Sequence, residues 1–233
     1  MIFKKFLFLT ILATTMLSLS ACKDEESTVV TPDDPKSKIL VVHASPNAPK
    51  VDILIDNSFV DTLSYTRNTA YLEVNSGTRN VKIRVTGTSS VLIDANASFD
   101  PDKSYSIFAI DSLIKISALQ TLDDLTTPAA GKAHIRFIHL SPDAPAVNVI
   151  ANGSTTLFAN RSFNKIITAS EQAFIQVNAD TYNLEVRKAS DNVLALSLPN
   201  VTLTSGKIYT IFAKGFLDGT AAQALGAQII ANN

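Results

Sequence analysis

HASPNAPKVDI, residues 43–53, returns as HLSPDAPAVNV, residues 139–149, 96 positions further on. Histidine, serine, two prolines and the start of an apolar strand recur in one order, so the repeat is a unit of structure larger than a motif. Outward from this stretch the likeness continues. YLEVNSGTRNVKIRV (71–85) answers FIQVNADTYNLEVRK (174–188) at an offset of 103, and KSYSIFA (103–109) answers KIYTIFA (207–213) at 104. The drift from 96 to 104 places insertions in connecting loops, which tolerate them. DDLTTPAAGK, residues 123–132, reads as the linker between the copies.

Within each copy VDILID, VKIRV, LEVRK, YSIFAI and YTIFA alternate with period two and are rich in β-branched and aromatic residues. Turn formers separate them, namely Asn75-Ser76-Gly77, Pro101-Asp102, Asn152-Gly153 and Ser205-Gly206. The expected fold is therefore all-β: two tandem β-sandwich domains, immunoglobulin- or transthyretin-like, over residues 38–124 and 132–233. About seven strands are expected in each.

The S-P-[D/N]-A-P-x-V pattern after an apolar strand, with a late G-K-x-Y-T strand, resembles the bacterial family of domain of unknown function 4397. The resemblance runs through residues 38–233 as two copies. Copy one departs from the late motif, with Asp102-Lys103-Ser104-Tyr105 where copy two has Gly206-Lys207-Ile208-Tyr209. The resemblance implies a secreted or surface location and a sandwich-like fold, and no established activity.

Residues 1–21 read as a signal peptide and stand apart from the fold. Lys4 and Lys5 precede a short apolar run that closes on Leu19-Ser20-Ala21-Cys22. This ending resembles the lipobox of bacterial lipoproteins. The resemblance implies cleavage before Cys22, acylation of its thiol and amino group (palmitate among the chains), and an outer-membrane lipid anchor. Multiple acyl chains hold durably because each buried methylene contributes about 0.8 kcal/mol. Lys23-Asp24-Glu25-Glu26 is similar to the surface-export signal of lipoproteins in the Bacteroidetes group, so the expected location is the cell surface, with the periplasmic face as the alternative. Residues 22–37 are polar and carry Pro32 and Pro35, a composition expected to form a disordered acidic tether.

Without residues 1–21 the formal charge moves from −1 to −3, and no Lys/Arg stripe stands out, which argues against nucleic acid as a partner. Cys22 is the sole cysteine. Once it is acylated, no thiol is left for a disulfide, a zinc site or a nucleophile.

His43, Ser45 and Asp52 offer the residue types of a base, a nucleophile and an orienting carboxylate. The second copy has Asn148 where the first has Asp52, and an amide cannot replace that carboxylate. His134 and His139 are an odd number of residues apart on one strand and face opposite sides. DANASFDPD, residues 94–102, lacks the glycine and terminal glutamate of an EF-hand loop. No cofactor or metal is expected, and the chain reads as a non-enzyme.

The structural reading of the motif is a corner. His43 and His139 share parity with Ile39/Ile135 and Val41/Phe137, which places them at the end of a core-facing row. The other face reads Lys38/His134, Leu40/Arg136 and Val42/Ile138 and admits charge. Pro46 and Pro142 suit the second position of a type I turn. Pro49 and Pro145 remove a ladder donor before the next strand. Ser45 and Ser141 complete the turn.

Three functions follow in order: a lipid-anchored envelope protein that binds a polymer or protein through sandwich loops, a structural spacer or assembly subunit, and last a hydrolase. Tyr65, Tyr71 and Tyr182 are the candidates for stacking on a ligand, since there is no tryptophan.

Overall fold

KSKILVVH, residues 36–43, forms the first strand, and it is apolar on both faces from Ile39 onward. Such a continuous run belongs to a strand covered on both sides, and its position decides the architecture. The computed structural model describes residues 34–163 and 167–233. The lipobox residues Leu19 to Cys22 and the segment Lys23 to Glu26 lie outside them.

The first copy comprises β1 (Lys36–His43), β2 (Val51–Ile55), β3 (Ser58–Leu63), β4 (Leu72–Asn75), β5 (Gly77–Val85), β6 (Val91–Phe99), β7 (Ser104–Ile110) and β8 (Ser117–Asp123). The second repeats it as β9 (Lys132–His139), β10 (Val147–Ala151), β11 (Thr155–Arg161), β12 (Ile175–Asn178), β13 (Thr181–Lys188), β14 (Leu194–Thr202), β15 (Ile208–Lys214) and β16 (Gly226–Ala231). A single helical turn, α1 (Ala169–Gln172), precedes β12 and carries a Thr168/Glu171 capping box.

Each copy is a sandwich of two four-stranded sheets, ordered β4-β1-β7-β8 with β3-β2-β5-β6, and β12-β9-β15-β16 with β11-β10-β13-β14. In the inner sheets β1 runs parallel to β7 and β9 parallel to β15; the other pairings are antiparallel. In immunoglobulin constant domains the order is 1-2-5-4 with 3-6-7. The present order leaves the transthyretin-like member of the expected pair. Eight strands stand where about seven were expected. The unforeseen strands carry small and polar residues: Asp94 to Phe99, weighed above as part of a calcium loop, makes up most of β6.

Tight turns at Asp56-Asn57 (φ 48° and 65°) and Asn152-Gly153 (φ 50° and 70°) close the equivalent hairpins β2–β3 and β10–β11. Ile39, Val41, Ile53, Ile83 and Ile107 fill the first sandwich, and Ile135, Phe137, Val149, Leu184 and Ile211 the second.

A third core joins the two copies. Leu40, Val42, Phe108, Ile110 and Leu119 of the first inner sheet pack against Ile138, Leu140, Phe212 and Ile230 of the second. The face expected to admit charge is thus buried between the copies, giving four stacked sheets. Phe108 and Phe212, equivalent at the repeat offset, meet edge to face with centroids 6.1 Å apart. Contact between equivalent residues marks a pseudo-twofold axis.

The terminal strands β1 and β8 set the ends of the first copy. β1 begins at Lys36, inside the stretch read as tether, and Ser37 is buried there. Asp123, read as the start of the linker, closes β8 and is buried.

Candidate functional site

The repeated motif builds the same corner twice. At the end of β1, His43 Nε2 lies 2.9 Å from Pro49 O; at the end of β9, His139 Nε2 lies 3.1 Å from Pro145 O. A carbonyl only accepts, so Nε2 carries the proton in both rings. Burial holds both imidazoles below the ordinary value of 6.5, against the opposing pull of those carbonyls.

Ser45 Oγ donates to Asp111 O at 2.6 Å, and Ser141 Oγ donates to Gly215 O at 2.7 Å. One step further, Asn47 Oδ1 accepts from Leu113 N at 2.7 Å, and Asp143 Oδ1 accepts from Leu217 N at 2.9 Å. The serine and the residue after the proline therefore clasp a neighbouring loop, β7–β8 in one copy and β15–β16 in the other. Pro46 and Pro142 stand between the two clasps, and Pro49 and Pro145 supply the carbonyls that take the imidazole protons.

This arrangement separates the residues of the apparent triad. Asp52 lies on the opposite face of β2 from the core residues Val51 and Ile53. Its carboxylate takes hydrogen bonds from Thr62 Oγ1 and Thr86 Oγ1 at 2.9 Å each and pairs with Arg84 at 3.4 Å. The Thr62 hydroxyl first, then Thr86, lowers its pKa. Ser45 Oγ is committed to a carbonyl rather than to His43. Among the described residues no group of three or more His, Cys, Asp or Glu side chains is placed to hold a metal.

The stacking candidates are spent on packing. Tyr65 sits edge-on to His43 with centroids 6.0 Å apart, and burial pushes its phenol up to about 12. Tyr182 donates to Asn178 O at 3.0 Å. The Tyr71 hydroxyl donates to Asp123, and burial, then the Asp123 charge, raises its pKa.

Tyr71 leads into a polar network between the copies that the sequence reading missed. Arg136, fully buried, pairs with Asp123 at 2.7 Å. Its Nε donates to Thr210 Oγ1 at 2.8 Å and its Nη2 to Ser106 Oγ at 3.2 Å, and its guanidinium lies 4.5 Å from the Phe174 ring centre. Ser106 Oγ donates in turn to Asp123 at 2.6 Å, and Thr210 Oγ1 to Asn232 Oδ1 at 2.8 Å. Every charge in the network is met by a partner, as burial demands.

The network and the corners together orient the molecule. Asp123 and Asn232, at the far ends of β8 and β16, both meet Tyr71. At the other end Tyr65, beside His43, is faced by Lys214 Nζ at 5.7 Å from its ring centre. The two corners consequently lie side by side at one end. The chain enters at the opposite end through Pro35, whose carbonyl accepts from Ser76 N at 2.8 Å. β1 has eight residues between them, about 26 Å at ~3.3 Å each.

The corner end also concentrates exposed apolar side chains. Ile114 is 89 % exposed, and Val91, Val193, Leu194 and Leu217 join it there; Phe59 and Leu122 lie elsewhere. Single exposed apolar residues are ordinary, whereas a set confined to one end of a sandwich is a surface worth testing.

A family model described as Domain of unknown function (DUF4397) matches residues 37–150 and again 134–233. No curated protein matches the chain. Among solved structures, a Bacteroides ovatus protein described as a candidate adhesin aligns over 86 % of this chain and 94 % of its own, at 8 % identity and a TM-score of 0.21. A likeness of that size assigns nothing to this chain. No helix among the described residues is long and apolar enough to cross a membrane.

Proposed function

For a chain that belongs to the DUF4397 family and carries its domain twice, we propose a lipid-anchored, non-catalytic envelope protein that binds an extracellular or envelope polymer or protein through its corner end. The carrying observation is the double clasp. Each copy spends its most recognisable residues, Ser45 and Asn47 or Ser141 and Asp143, on fixing a loop at the end opposite Pro35. Loops held on a rigid scaffold are the usual carriers of recognition. Catalysis is disfavoured because His43, Ser45 and Asp52 are each bonded elsewhere. The lipid anchor rests on Cys22 and its lipobox.

The experiment takes the full chain and its Ile114→Asp and Leu217→Asp variants against envelope and glycan fractions. Wild type is expected to retain a component that the variants release, with unchanged circular dichroism. Cys22→Ser is expected to lose palmitate label and leave the membrane fraction. Retention of nothing above background would favour the spacer role, which the buried interdomain core, a source of stiffness, also supports.

A further inference from the structure

The sheets have eight edge strands, and seven of them are blunted against strand addition. β4 and β12 have only four residues each. β3 carries Asp61 beside a register shift, β6 carries Asp94, and β11 has two shifts and Arg161. β14 has Pro199 and two shifts. β8 is covered from the other copy, where Gln172 Oε1 of α1 accepts the outward N–H of Leu122 at 2.8 Å.

β16, the pseudo-equivalent of β8, has none of these devices among the described residues. GAQIIA contains no charge and no proline, and it pairs with β15 in unbroken register from Gly226 to Ala231. The first copy has no insertion corresponding to α1 to cover it. Asn232 N donates to Ile208 O. Bonded residues alternate along an antiparallel ladder, so Gln228 and Ile230 turn toward β15. Ala227, Ile229 and Ala231 present their N–H and C=O groups outward, and no described residue is bonded to them.

We infer that β16 is an interaction edge that takes the β16 of a second copy of this chain, antiparallel, about a twofold axis at Ile229. The strand is complementary to itself. With Ile229 opposite Ile229, Ala227 faces Ala231, the outward donors and acceptors meet, and no like charges oppose. A twofold closes the assembly at two copies, since each has one such edge. The pairing joins two inner sheets into one of eight strands and extends the buried face that already reaches Ile230.

The test measures the mass of the full chain, purified in detergent, by light scattering. Wild type is expected at twice the chain mass. Ala231→Pro removes one outward donor without touching the β15 ladder and is expected to give a monomer with an unchanged melting curve. Ile229→Cys places two cysteines about 5.5 Å apart between Cα atoms, within disulfide range. Oxidation is expected to give a covalent dimer that wild type and the Ile229→Cys/Ala231→Pro double variant do not form. A wild-type monomer overturns the inference and leaves the edge to another polypeptide; a dimer that survives Ala231→Pro and is not trapped by Ile229→Cys overturns it as well.

Discussion

The two copies agree where each sandwich is built and diverge where they meet. Corner for corner, His43 matches His139 and Ser45 matches Ser141, with the same acceptors. Across the shared face four matches fail: Leu40 stands against Arg136, Asp123 against Asn232, Ser106 against Thr210, and Tyr71 against Phe174. Two of these residues of the second copy reach across to the first. Arg136 of the second reaches Asp123 of the first, and Asn232 of the second reaches Tyr71 of the first. A pseudo-symmetric interface has thus become a specific one, with a unique arrangement of its two halves.

That divergence gives the largest expected effect. Asp123→Ala leaves the fully buried Arg136 without its counter-charge and is expected to cost about 3–5 kcal/mol of unfolding free energy. The double variant Arg136→Leu/Asp123→Asn installs at each site the residue its counterpart already has. It is expected to lie within about 1–2 kcal/mol of wild type, because losing the pair also removes its desolvation cost. Urea unfolding measures both. If the double variant is as unstable as Asp123→Ala, the network does more than balance a charge, and the comparison of equivalent positions fails.

Repeat and strand period were legible in the sequence because core-facing residues alternate: Ile39 and Val41, like Ile135 and Phe137, take the same side. The corner was legible for the same reason, since His43 continues that row. The shared face was not. Leu40 and Val42 extend the apolar run of β1, but Arg136 interrupts the equivalent run of β9, and a charge in a strand ordinarily points to water. Only its distant partner explains it, and Asp123 sits in a stretch whose threonines, proline and alanines read as linker. Exchange of Leu40 for Arg136 together with Asp123 for Asn232 was the available signal, visible once offsets are followed to the chain end. β6 escaped because its central residues are small or polar, and β16 because its alternation is faint.

The corners offer a middle-sized effect and a sharper comparison. Ser45→Ala and Ser141→Ala each remove the hydroxyl hydrogen bond to a buried residue's carbonyl, of Asp111 or Gly215, at an expected cost of about 1–3 kcal/mol. Chemical denaturation of the two variants is expected to give costs equal within experimental scatter. Unequal costs would show that the equivalence of the clasps is geometric and not energetic.

The smallest effect is the pH dependence of the two histidines. In the folded chain burial holds both imidazoles below the ordinary 6.5. Between the lowered folded value and 6.5 the unfolded chain therefore binds more protons than the folded one, and stability rises with pH across that window. Contributions are fully present above 6.5 and are lost as pH falls toward the folded value, at most about 1.4 kcal/mol per pH unit for each ring. The carboxylates Asp52, Asp94, Asp124 and Glu171, each held below its ordinary value, stay charged near 6.5, so the upper part of the window reads the imidazoles and not these groups. His43→Gln keeps a donor for Pro49 O and does not titrate; melting temperatures followed from neutral to mildly acid pH are expected to fall less steeply for it than for wild type. His139→Gln is expected to do the same, but Asp143 favours the charged form of His139 and copy one has Asn47 in its place. Asp143→Asn should therefore steepen the acid loss, bringing the second corner closer to the first, and an unchanged slope would mean that the charge at Asp143 is spent on Leu217 N alone.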